Sequence, residues 1–95
     1  MFLSYSASMR QSIWKPNYII LRNELKKLRK NKGYSQRKLA SLIGKPHTYI
    51  SKYESGERNL DYFEVLEICQ HCDTDPVNFT RQIMTIVDLD RNQTK

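Results

Sequence analysis

Apolar residues recur along the chain at helical spacing and never alternate as in a strand. Leu21, Leu25 and Leu28 stand at i, i+4 and i+7, which predicts a first helix that begins after Asn17 and stops at Gly33. Arg22, Lys26, Lys27 and Lys30 cover its other sides. Ser35 is a cap residue, and the helix it opens turns Leu39, Ala40 and Ile43 inward. A Gly-Lys-Pro turn follows, and Pro46 suits the first turn of a third helix that buries Ile50 and Tyr53. Asp61 and Glu64 have capping-box spacing and start a fourth helix, with Tyr62, Val65, Leu66, Cys69 and Cys72 as its apolar stripe. Asp75-Pro76 opens a fifth helix carrying Val77, Phe79, Ile83, Ile86 and Val87. Residues 1–16 are Ser-rich and read as a flexible arm, although they hold Phe2, Leu3, Tyr5, Ile13 and Trp14. The expected organisation is an arm over 1–16, an all-α domain of five helices over 17–89, and a fraying tail over 90–95.

The second and third helices form an arrangement with a chemical consequence. Ala40 is small where the two would cross, and Gly44 lies where the chain turns sharply. At 100° per residue, His47, Thr48, Ser51, Lys52 and Ser55 share an outward sector roughly 140° wide. That sector is polar, hydrogen-bonding and short-chained, as a helix entering the DNA major groove must be.

The stretch resembles the helix-turn-helix of the Cro/phage-repressor family, also called the xenobiotic-response-element (XRE) family. The matching positions are Gln36, Leu39-Ala40, Gly44, Ile50-Ser51, Glu54 and Gly56. The run from Gly44 to Asp61 is similar to one branch of that family, except that His47-Thr48 replaces its usual Gln-Ser pair. The resemblance extends over about residues 19–80 and implies a compact five-helix, lambda-repressor-like DNA-binding domain with its helix-turn-helix at helices two and three. It implies that Gln36, at the mouth of helix two, holds a backbone phosphate, and that Arg29 and Glu54 pair between helices one and three. Ala40, Gly44 and Ile50 are then structural.

His47, Thr48, Ser51 and Lys52 are the base-reading candidates. Lys donates to guanine O6 and N7, Ser and Thr pair with either class of base edge, and His donates or accepts. At least two of the four are expected to touch bases, against the plainer reading of a solvated helix face. Lys45, Tyr49, Arg58 and Asn59 flank the recognition helix as candidate phosphate contacts.

Ninety-five residues hold one domain with a modest core. Residues 1–60 carry 13 Lys/Arg against 3 Asp/Glu, a balance of +10, whereas residues 61–95 carry 3 against 7, a balance of −4. The helix-turn-helix lies in the positive part, which fits phosphate contact. Cys69 and Cys72 share a helix face with His71 between them, but a structural zinc site needs four ligands, and the only other histidine is in the recognition helix. Buried thiols are the better reading, so no metal and no cofactor is expected. No catalytic triad, acid pair or phosphate-binding glycine loop is present, which argues against an enzyme. No run of 18 apolar residues and no signal-peptide pattern occurs, so a cytoplasmic protein without membrane contact is expected.

The function that follows is a transcriptional regulator, a repressor or autoregulator, bound to double-stranded DNA as a homodimer. Met84, Val87, Ile13 and Trp14 are candidate dimer contacts. The alternative is an antitoxin-type module that binds a toxin and autoregulates through the same helix-turn-helix. A second protein, toxin or anti-repressor, is therefore a candidate partner.

Overall fold

The computed structural model describes the backbone of residues 7–93 and the side chains of residues 16–91. Five helices follow one another: α1 (Ala7–Asn31), α2 (Gln36–Ile43), α3 (Tyr49–Ser55), α4 (Tyr62–His71) and α5 (Pro76–Gln93). No strand occurs among the described residues.

The element order matches the hydrophobic periodicity, but two helix starts differ from it. α1 begins at Ala7, ten residues before the position expected after Asn17, and runs through Pro16. Residues 7–15 contain neither Gly nor Pro, and serine only weakly disfavours a helix. Pro16 removes one ladder donor without ending the helix. The expected arm therefore divides: residues 7–15 are helical in backbone, and residues 1–6 lie outside the described residues. At the other end α5 continues to Gln93, past the fraying expected from Asp90.

α3 begins at Tyr49 rather than near Pro46. The Tyr49 amide donates to the Pro46 carbonyl at 2.9 Å, an i→i+3 bond that makes a tighter turn than an α-helix. The α ladder takes over only when the Lys52 amide donates to the Thr48 carbonyl at 3.0 Å. His47 and Thr48 thus belong to the turn that feeds α3.

Local signals set the remaining boundaries. Ser35 Oγ accepts from the Lys38 amide at 3.0 Å and caps α2. Gly44 (φ 77°) and Gly56 (φ 88°) end α2 and α3 in the left-handed region, where a Cβ is disfavoured. Asp61 and Glu64 exchange side-chain and backbone bonds of 2.8 and 2.9 Å in a full capping box at α4.

The core lies where all five helices converge. Leu25, Leu39, Ala40, Ile50, Tyr53, Ile68 and Cys69 are fully buried, with Cys72 and Phe79 nearly so. Each buried Leu or Ile stabilises the fold by about 1.5–3 kcal/mol. Ala40 and Ile50 bring α2 and α3 together, and Leu25 ties both to α1. Burial pushes the Cys69 thiol up to about 11 and raises that of Cys72 as well, so both are poor nucleophiles. One stripe position differs from expectation: Tyr62 stands at the overhanging first turn of α4 and is exposed.

Candidate nucleic-acid interface

The start of α3 is held from behind by a buried polar cluster. Arg29 on α1 donates through Nε to Glu54 Oε2 at 2.7 Å and through Nη2 to Glu54 Oε1 at 3.0 Å. Its Nη1 donates to the Tyr34 carbonyl at 2.7 Å. Only 8% of the Arg29 side chain and 4% of the Glu54 side chain meet solvent. The hydrogen bond to Glu54 raises the Arg29 pKa above its ordinary value, against the opposing effect of burial. Gln36 Nε2 donates to Glu54 Oε1 at 2.8 Å. Glu54 on α3 is therefore bonded from α1 and from α2, and this fixes the height and tilt of α3.

Tyr49 holds the other side of α3. It was a candidate phosphate contact on sequence, but the fold buries it to 7% exposure and turns its hydroxyl to Glu64 Oε2 at 3.1 Å. Burial pushes its pKa up to about 12, reinforced by the bond to Glu64. Its ring meets that of Tyr53 edge to face, with centroids 5.9 Å apart at 80°. The guanidinium of Arg58 lies 5.0 Å from the Tyr49 ring centre and the ammonium of Lys45 lies 5.5 Å from it. Arg58 Nη2 also donates to Glu64 Oε2 at 2.7 Å. Burial raises the Glu64 pKa, but the bonds from Arg58, the Asp61 amide and Tyr49 outweigh it, and the net shift is downward. Tyr49 is thus a buttress whose edges position two flanking cations.

The remaining candidates divide by exposure. His47, Thr48 and Lys52 are exposed at the turn and first turn of α3. Ser51 is half-buried and its hydroxyl donates to the Thr48 carbonyl at 3.0 Å. Lys45, Arg58 and Asn59 are exposed on either side, and Gln36 is half-buried at the mouth of α2. The fold brings these positions to one face, with Ala40, Gly44 and Ile50 behind them.

Two participants escaped the sequence reading. Glu64 is legible as a capping residue, but nothing in the spacing shows that Tyr49 and Arg58 converge on it. Arg22, read as part of a solvated basic face, reaches from α1 to the end of α3. A Cβ on Gly56 would stand 3.0 Å from Arg22 Cζ, so the guanidinium lies directly against the turn that ends the recognition helix. A cation there also complements the carbonyl end of the helix.

No group of three or more His, Cys, Asp or Glu side chains among the described residues is placed to hold a metal ion. No described helix is long and apolar enough to cross a membrane.

This geometry agrees with comparisons to known proteins. The helix-turn-helix family profile HTH_3 matches residues 25–79. An XRE-family like protein from Pseudomonas syringae pv. tomato str. DC3000 is similar in structure, with a TM-score of 0.77 and 29% sequence identity over 84% of this chain and 98% of that one. No protein of curated function matches the chain. A family match across more than half of the chain, on five helices that place the α2–α3 turn and its cationic flanks on one face, shows that the chain belongs to the Cro/phage-repressor-type (XRE) helix-turn-helix family of DNA-binding transcription regulators.

Proposed function

We propose that the protein is a sequence-specific regulator of transcription, a repressor or autoregulator. In this reading it acts in the cytoplasm as a homodimer on a pseudo-palindromic operator, with α3 in the major groove. The observation that carries it is the contrast along α3. Its inward residues Tyr49, Ile50, Tyr53 and Glu54 are fixed by core and ion pair, while His47, Thr48 and Lys52 project freely at its start. A rigid helix with free polar tips suits reading of base edges, because little side-chain order remains to be imposed on binding.

The roles divide accordingly. His47, Thr48 and Lys52 read bases. Ser51 contributes through its remaining acceptor capacity, since its proton is directed at Thr48. Lys45, Arg58 and Asn59 hold phosphates, with Gln36 both touching phosphate and steadying Glu54. Selecting bound sites from random duplex DNA with the purified chain tests the reading. The expected product is a recurring half-site motif, and enrichment with no shared sequence would overturn it.

A further inference from the structure

The most exposed large apolar side chains among the described residues stand side by side. Tyr62 is 70% exposed and Phe63 77% exposed. Their rings meet edge to face at 5.8 Å and 65°. An open groove of about 700 Å³ begins beside them, with Phe63, Leu66 and Pro76 as its apolar lining and Lys45, Glu67 and Gln70 among its polar lining. A lone exposed Leu needs no explanation, but two adjacent rings at the lip of an apolar groove do.

We propose that this face is where two copies of the chain meet on DNA, with Tyr62 and Phe63 of each copy seated in the groove of the other. The proposal rests on the DNA-binding reading above. Three features favour a second copy of the chain. A two-fold contact requires one surface to hold both a projection and the depression that receives it, and here the two are adjacent. The same groove carries both signs of charge, so a two-fold rotation can set Lys45 of one copy opposite Glu67 of the other. Lys45 also belongs to the turn that feeds α3, which ties the dimer axis to the recognition helices and so to half-site spacing.

The rival surface on α5 is less suited. Met84 and Leu89 are 50% and 57% exposed, but five residues apart they lie about 140° apart around the helix and form no single patch. Val87, between them, is buried.

Size sets the strength of the contact. Four rings burying about 150 Å² each give about 600 Å². A stable interface needs about 1,000 Å² or more. The contact should therefore be weak in free protein and form when neighbouring half-sites raise the effective concentration.

The test compares duplexes bearing one and two selected half-sites. Replacing both rings, Tyr62→Ser with Phe63→Ser, should leave the thermal melt and one-half-site affinity unchanged. It should lower the cooperativity of filling two half-sites by about tenfold. Met84→Ser with Leu89→Ser should leave cooperativity intact. In the free chain, raising the concentration from micromolar to millimolar should shift amide resonances at the start of α4. Undiminished cooperativity in the ring variant would overturn the proposal. So would an equal loss at one half-site, which would mean that the rings touch DNA. An absence of concentration-dependent shifts at α4 would also overturn it, pointing to a different protein as the occupant. If the wild type showed no sequence preference, the DNA reading would fall, while the resonance shifts would still decide self-association.

Discussion

At the scale of single residues, the recognition helix depends on how well its buried charge is matched. Glu54 is a carboxylate almost out of solvent, bonded by Arg29 and Gln36. Arg29→Met removes the cation and leaves Glu54 uncompensated, which should cost about 3–5 kcal/mol in denaturant melts. Adding Glu54→Leu should restore much of that loss, because a packed apolar pair avoids the desolvation of two charges. DNA affinity should remain low in the double variant, since α3 would lose its anchor. Two tyrosines separate a used hydroxyl from an unused one. Tyr53 is fully buried, and its hydroxyl has no hydrogen-bond partner among the described residues. Tyr53→Phe should therefore be nearly neutral, within about 0.5 kcal/mol. Tyr49→Phe removes a bond to a carboxylate and should cost about 1.5 kcal/mol. Opposite ranking in thermal melts would refute both assignments. Tyr49 also shows what was legible at this scale. At 100° per residue it lies only about 40° from Tyr53 on the helix wheel. Its inward place could be read from period alone; placing it among the flanking polar residues led to the phosphate expectation.

At the scale of elements, periodicity and capping located all five helices, while helix starts depended on competing turns. Pro46 is compatible with a first helical turn, but it equally accepts an i→i+3 bond from Tyr49, and nothing in the sequence chooses between the two. That choice decides whether His47 and Thr48 ride on the helix or on the loop before it. The other end of α3 is fixed by Gly56 with Arg22 against it. Gly44 and Gly56 both take left-handed φ, so Gly44→Ala and Gly56→Ala should each cost about 1–2 kcal/mol. They differ in surroundings, because a Cβ on Gly44 meets open space, whereas one on Gly56 meets the Arg22 guanidinium. Arg22 is flexible and should move aside. Arg22→Ala should then weaken DNA binding and stability in the wild type, yet have little further effect in the Gly56→Ala background. Additive losses in a double-mutant cycle would show that Arg22 does not act through the helix end.

At the scale of the whole molecule, the uneven charge along the sequence and the single face of the helix-turn-helix converge on one measurable division of labour. The basic balance of residues 1–60 was legible from counting, and so was the DNA-facing turn. The Tyr62–Phe63 face was not, because an apolar residue in a helical stripe gives no sign that its turn overhangs the core. Binding should weaken steeply with salt, since each phosphate contacted releases condensed counterions. About four to six contacts predict a slope of log K against log salt of roughly −4 to −6. Lys45→Ala and Arg58→Ala should each reduce the magnitude of that slope by about 1 without changing which sequence is preferred, because a phosphate contact carries no base information. Gln36→Ala should weaken selected and scrambled duplexes by similar factors, and by more than a lost phosphate bond alone, as Glu54 loses a donor at the same time. Changes at His47, Thr48 or Lys52 should instead alter the preferred base at one or two positions per half-site, by about 1–3 kcal/mol for each well-made contact. Ser51→Ala should do least of the four, its hydroxyl being half-buried and bonded to the Thr48 carbonyl. Competition of each variant against every single-base change in the operator reads both quantities together. If Gln36→Ala shifted base preference while the triple substitution at 47, 48 and 52 preserved it, positioning and reading would be exchanged, and the free tips of α3 would not be the part that reads the operator.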